Sequence, residues 1–172
     1  MPISGHYIRM AKNYLEAPPN AVRRKDREVA DDAWIHDLLH RTPMGVLATV
    51  HDGQPFVNSN TFAYDEAEHA IYMHTHRTGR TASNVGGDER VCFTVTEMGR
   101  LLPAPRAFNM SVEYEGVVVF GAARLVLDEA EKARCLQQVV DKYFGHLRPG
   151  DDYAPPSVEE LALTSVYRIA IE

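Results

Sequence analysis

A chain of 172 residues with 45% apolar and 24% charged residues is long enough for one domain with a full core and leaves little room for a second. Its net charge of −6 argues against nucleic-acid binding, which needs a basic face to neutralise phosphates. No apolar run is long enough to span a bilayer or to act as a signal segment, so a membrane partner is not expected. Cys92 and Cys135 fall in a strand-like and a helix-like run and read as free thiols, with a reducing cytoplasm as the expected location.

In chain order, Tyr7 to Leu15 has rough helical spacing and is ended by Pro18-Pro19-Asn20. Arg23 to Glu28 mixes signs and reads as a solvated connector. A helix is expected from Asp32 to His40, capped by Asp31 or Asp32, with Trp34, Ile35, Leu38 and Leu39 on one face. The period then becomes extended. Met44 to Val50 is a strand, Asp52-Gly53 a hairpin turn, and Pro55 to Tyr64 the return strand. A third strand opens at Ile71 and is followed by a short helix over Thr81 to Val85, capped by Gly86-Gly87. Arg90 to Thr96 is a fourth strand. Met110 to Leu127 is a long extended segment, or two strands bent at Gly116 or Gly121. A helix with Asp128 and Glu131 as a capping box buries Ala133, Leu136, Val140 and Phe144, and Gly145 ends it. A short helix over Val158 to Leu163 and a strand over Thr164 to Ile171 complete the chain. Six or seven strands with few helices read as a mainly β (α+β) domain, a β-barrel with helical attachments.

The segment Ile71 to Asn84 carries the clearest chemistry. Hydroxyls, two guanidinium groups (Arg77, Arg80) and a helix start follow one another at the end of a strand. That combination can hold a phosphate, through bidentate guanidinium bonds and the partial positive charge of the helix N-terminus. The same residues could instead form a solvated basic loop. One hairpin away, Asn58, Ser59, Asn60 and Thr61 are four consecutive polar residues within a strand, so at least two must face inward and need partners. A ligand could supply those partners; a wetted edge strand is the alternative. His74 and His76 share a face, but no carboxylate or cysteine is placed to complete a metal site, and no metal is expected. Tyr114, Phe93 and Phe120 read as core.

Taken in order, RRKDREV (Arg23 to Val29), GVLATV, DGQPFVNSNTFAYD, IYMHTHRTGR, RVCFTV and VEYEGVVVFGAARLV resemble the FMN-binding split barrels related to pyridoxamine 5′-phosphate oxidase, especially their nitroimidazole-resistance-like branch. The resemblance covers residues 23–172 and leaves 1–22 as an N-terminal extension. It implies a six-stranded Greek-key split barrel, a homodimer, and one FMN per subunit in the interface groove. Phe56, Val57, Asn58, Ser59, Asn60 and Thr61 match the strand lining the flavin, and His74 matches a histidine beside it with a catalytic role. Thr75, Arg77 and Arg80 match phosphate and ribityl contacts, and Ser111 a polar flavin contact. Ser59 stands where the branch often has Pro, and His76 where it commonly has a small residue. The C-terminal Arg and Trp substrate positions of pyridoxamine oxidases have no counterpart, which argues against vitamin-B6 oxidase activity.

The implied function is an FMN-dependent oxidoreductase passing electrons from NADH or NADPH to a small organic acceptor, with a nitro compound as one candidate. The rival readings are a deazaflavin-dependent reductase of the same fold and a non-catalytic flavin- or haem-binding module, with His74 and His76 as axial-ligand candidates.

Overall fold

The computed structural model describes residues 14–172; the expected N-terminal helix lies largely outside them. Helix α1 (Asp32–Arg41) starts where the Asp31 carboxylate accepts from the N–H groups of Ala33 and Trp34, and it buries Leu38 and Leu39 completely. Strands β1 (Gly45–His51) and β2 (Gln54–Asn60) form a hairpin. Asp52 and Gly53 both have left-handed backbone angles, φ 49° and 74°, which give the two-residue turn the twist of its flanking strands. Then come β3 (Phe62–Asp65), β4 (Ala70–His76), α2 (Arg80–Gly87), β5 (Arg90–Leu102), β6 (Ser111–Leu125), α3 (Glu129–Phe144), α4 (Val158–Ala162) and β7 (Thr164–Ile171).

All seven strands form one antiparallel sheet in the order β2-β1-β5-β6-β7-β4-β3. Its two edges, β2 and β3, are consecutive in sequence and separated only by Thr61. The return strand expected as one piece from Pro55 to Tyr64 is therefore kinked at Thr61. Its first half pairs with β1 and its second with β4, so six strand positions count as seven strands. The kink has a local cause: the Asn60 side-chain oxygen accepts the Thr61 N–H at 2.8 Å and takes it out of any ladder. Beyond Met73, β4 pairs only with β7, and its other edge opens toward β2. That gap is the split in the barrel.

Inside the barrel pack Leu47, Phe62, Ile71, Met73, Phe93, Tyr167 and Ile169. Each fully buried large side chain of this kind contributes about 1.5–3 kcal/mol. On the opposite face of β4, Ala70 and Tyr72 pack with Cys135 of α3 and Val166.

Several local expectations shift. The strand over Arg90 to Thr96 runs on to Leu102, because its pairing with β6 continues to Leu102 opposite Ser111. The irregularity lies in β5, between Met98 and Leu101, and not at Gly116 or Gly121. Gly86-Gly87 falls within α2, and Asp88 is its C-cap. The Asp128 side chain accepts from Glu131 N–H, but the Glu131 carboxylate turns to Arg124 instead of closing a capping box. The buried face of α3 is Cys135 and Val139, with Leu136 and Val140 half-buried and Phe144 exposed. Phe93 is core and Phe120 half-buried, but Tyr114 is exposed and bonds Arg27. Cys92 and Cys135 are free.

Candidate functional site

Strand alternation decides what each residue at the end of β4 does. Ile71 and Met73 enter the barrel, and Thr75 follows them, its hydroxyl 2.7 Å from the hydroxyl of Tyr167. Ala70 and Tyr72 face α3, and His74 follows that side. The chain then turns: Arg77 N–H donates to the Leu163 carbonyl at 2.8 Å, and His76 Nδ1 accepts from Thr78 N–H at 3.2 Å. His76 thus holds the turn. Among the described residues no three His, Cys, Asp or Glu side chains converge as a metal site.

Helix α2 begins at Arg80 with no side-chain cap at Gly79, so the N–H groups of its first turn stay open to a ligand. Arg77 and Arg80 flank this start, and both are exposed. Elsewhere Arg24, Arg41, Arg100 and Arg124 each lie within ion-pair distance of a carboxylate. Neither Arg77 nor Arg80 does so among the described residues.

Strand β2 meets this end of the molecule through two amides. Phe56, Asn58 and Asn60 are half-buried, while Val57 and Ser59 face outward, as alternation requires. Asn58 Nδ2 donates to the Thr81 hydroxyl at 3.1 Å, joining β2 to the first turn of α2. Asn60 Nδ2 donates to the His74 carbonyl at 2.5 Å, across the split. The protein therefore supplies some of the partners that a ligand was expected to supply. In α2 the buried Asn84 Oδ1 is left without a partner, although Asn84 Nδ2 bonds Thr49 at 2.9 Å.

His74 sits at the junction of two cavities. One, about 430 Å³, is lined by Asn60, Thr75, His76, Leu163 and Thr164; the other, about 380 Å³, by Leu136, Val139, Val140, Tyr153 and Pro156, with Glu160 in both. His74 Nδ1 is shut off from solvent and has no hydrogen-bond partner. Burial lowers the pKa of the ring, which keeps it neutral at physiological pH.

The structure thus brings together Asn58, Asn60, Thr61, His74 and Thr75 at the split, with Arg77 and Arg80 in the turn that leads from β4 into α2. It sets Ser111 apart, exposed at the end of β6, beside a larger cavity of about 740 Å³ formed with Val22, Trp34 and Ile35. Sequence reasoning missed Thr81, Asn84 and the α3 wall. Thr81 and Asn84 share a helix face at i, i+3, a signal available in the sequence; the α3 wall depends on long-range packing.

The fold is an antiparallel split barrel with a cleft where β2 and β4 part. The family model for pyridoxamine 5′-phosphate oxidase matches residues 31–172, and the chain belongs to that family. No curated protein matches the sequence. Among solved structures, the flavocytochrome Anf3 from Azotobacter vinelandii is 27% identical, with a TM-score of 0.69 over 82% of this chain and 64% of that one. The chain thus spans less than two thirds of the flavocytochrome's length. The FAD and haem binding protein from Mycobacterium smegmatis has a TM-score of 0.72 at 20% identity, covering 84% and 68% of the two chains. A candidate 5-nitroimidazole antibiotic resistance protein from Bacteroides thetaiotaomicron has a TM-score of 0.69 at 17% identity, covering 84% and 81%. Among the described residues, no helix is long and apolar enough to cross a membrane.

Proposed function

We propose that the chain is a flavin-dependent oxidoreductase that holds FMN at the split between β2 and β4. It would take electrons from a reduced nicotinamide and pass them to a small organic acceptor. The observation that carries this reading is the uncapped start of α2 flanked by two guanidinium groups without carboxylate partners among the described residues. A phosphate dianion suits that donor set, because charge-assisted bonds from guanidinium and backbone N–H groups favour the dianion together. The bound flavin would supply the redox chemistry.

The chain's own groups would bind, orient and exclude water. Arg77 and Arg80 would neutralise the phosphate. Asn58 and Asn60 are fixed by Thr81 and by the His74 carbonyl, so their remaining hydrogen-bonding capacity is presented without rotamer freedom. Thr75 is held by Tyr167. His74, kept neutral by burial, can hold or donate a proton at the cleft.

A second copy of the chain would complete the groove. The distal β5–β6 hairpin leaves Met98, Leu101, Phe108, Met110 and Tyr114 more than half exposed, a surface suited to a self-association interface.

His74 also favours a second reading, a haem-binding module. The His74 ring faces two cavities and would ligate iron through Nε2 with its proton moved to Nδ1, and two similar structures are a flavocytochrome and a haem binding protein. Anaerobic mixing of the FMN-loaded protein with NADH and with NADPH tests the proposal. Bleaching of the flavin bands by either supports it. No bleaching by either, or a Soret band as the only bound chromophore, would contradict it.

A further inference from the structure

The pocket on the α3 side of His74 has a composition of its own. Its walls are Leu136, Val139 and Val140 of α3 and Pro156 of the connection to α4, an apolar box of about 380 Å³. The connection is pinned. Gln137 Nε2 donates to the Tyr153 hydroxyl at 2.8 Å, and Gly150 N–H donates to the Tyr153 carbonyl at 2.8 Å. The pocket therefore exists before any ligand arrives, in the size range of small-molecule sites.

Gln137 and Tyr153 also line it but bond each other, so His74 and Glu160 decide what it would accept. His74 has Nδ1 sealed away with no acceptor in reach. A buried, unpartnered N–H is costlier than an unpartnered lone pair, so the proton of the neutral ring belongs on Nε2. The ring then offers one N–H donor at the cavity junction. The single charged lining residue is Glu160, whose carboxylate accepts the Ser157 N–H of its own helix cap and disfavours an anion beside it.

We infer that this pocket is a binding site for a small neutral aromatic carbonyl compound, its ring against α3 and Pro156 and its oxygen accepting from His74. As an electron acceptor such a compound would rest on the flavin reading above; as a bound ligand it does not. Its test is therefore binding to the protein without flavin.

The test titrates the full chain with acetophenone, ethylbenzene and benzoate, following the methyl resonances of Leu136, Val139 and Val140. Acetophenone is expected to shift these methyls and to bind about five- to tenfold more tightly than ethylbenzene, the worth of one hydrogen bond. Benzoate is expected to bind more weakly than acetophenone. In His74→Phe the acetophenone preference disappears while ethylbenzene still binds. Either filling variant, Val140→Trp or Leu136→Trp, removes both, and the three-probe comparison on the native protein stands without them. Equal affinities for acetophenone and ethylbenzene, shifts outside these methyls, benzoate as strong as acetophenone, or a preference surviving His74→Phe would each overturn the assignment.

Discussion

The side-chain amide of Asn60 donates to the backbone carbonyl of His74 at 2.5 Å, so one hydrogen bond ties the last residue of β2 to β4 just beyond the point where the β3–β4 ladder has stopped. The same side chain takes up the Thr61 N–H and makes the kink. One asparagine thus ends a strand and straps the split. Asn60→Ala is expected to lose about 1–2 kcal/mol of stability by orphaning these groups, with a fall in Tm of about 2–8 °C. Thermal unfolding followed by circular dichroism checks this; an unchanged Tm would show that the strap contributes nothing.

Gly121 and Gly116 lie five residues apart in β6 and differ in what surrounds them. A Cβ on Gly121 would sit 2.1 Å from the Ala170 carbonyl oxygen of β7, a backbone atom that cannot step aside. At Gly116 the nearest atom is 3.4 Å away. Gly121→Ala is expected to destabilise by about 1–3 kcal/mol or more, and Gly116→Ala by much less. Paired urea titrations decide it, and equal midpoints would contradict the packing described.

Lys142 places its ammonium 3.4 Å from the centre of the Phe62 ring and donates to the Leu39 carbonyl at 3.0 Å. Burial lowers its pKa from 10.5 to about 8. Between those values the unfolded chain keeps a proton that the native protein has released, so this group makes stability rise with pH from 8 to 10.5. Tyr64, Tyr143 and Tyr167, whose pKa values burial raises, act in the opposite sense at the top of that range. The difference between the native protein and Lys142→Met isolates the lysine. Denaturation midpoints of the native protein, relative to the variant, should climb across the window. A constant difference would refute the assigned shift.

Leu101 and Phe108 project from the distal hairpin, 72% and 97% exposed. If a second copy covers them, Leu101→Asp with Phe108→Asp should convert a dimer to a monomer in light scattering without loss of secondary structure. A native protein that already scatters as a monomer would remove the proposed self-association.

Much of the fold was legible because its signals are local. Asp52-Gly53 dictates its own turn, Asp31 and Asp128 cap their helices, and the period-2 run from Thr164 to Ile171 needs no partner to read as a strand. The kink at Thr61 was not legible, since it depends on where the Asn60 side chain finds its partners. The length of β5 was also hidden, because Met98 to Leu102 extend only by pairing with β6. At the candidate site, polar residues in an apolar strand singled out Asn58 and Asn60, and clustered charge singled out Arg77 and Arg80 as candidates. The wall formed by Leu136 and Val140 comes from α3, a later helix that no spacing within β4 could announce.

In the proposed site Arg77, Arg80 and the start of α2 grip a phosphate. Parallel titrations of the native protein and of Arg80→Ala with FMN and with riboflavin, which lacks the phosphate, test it most directly. The account predicts that the native protein prefers FMN by about a hundredfold or more and that the variant loses most of that preference while riboflavin affinity holds. Equal affinity of the native protein for the two flavins, or a preference for FMN untouched in the variant, would contradict it.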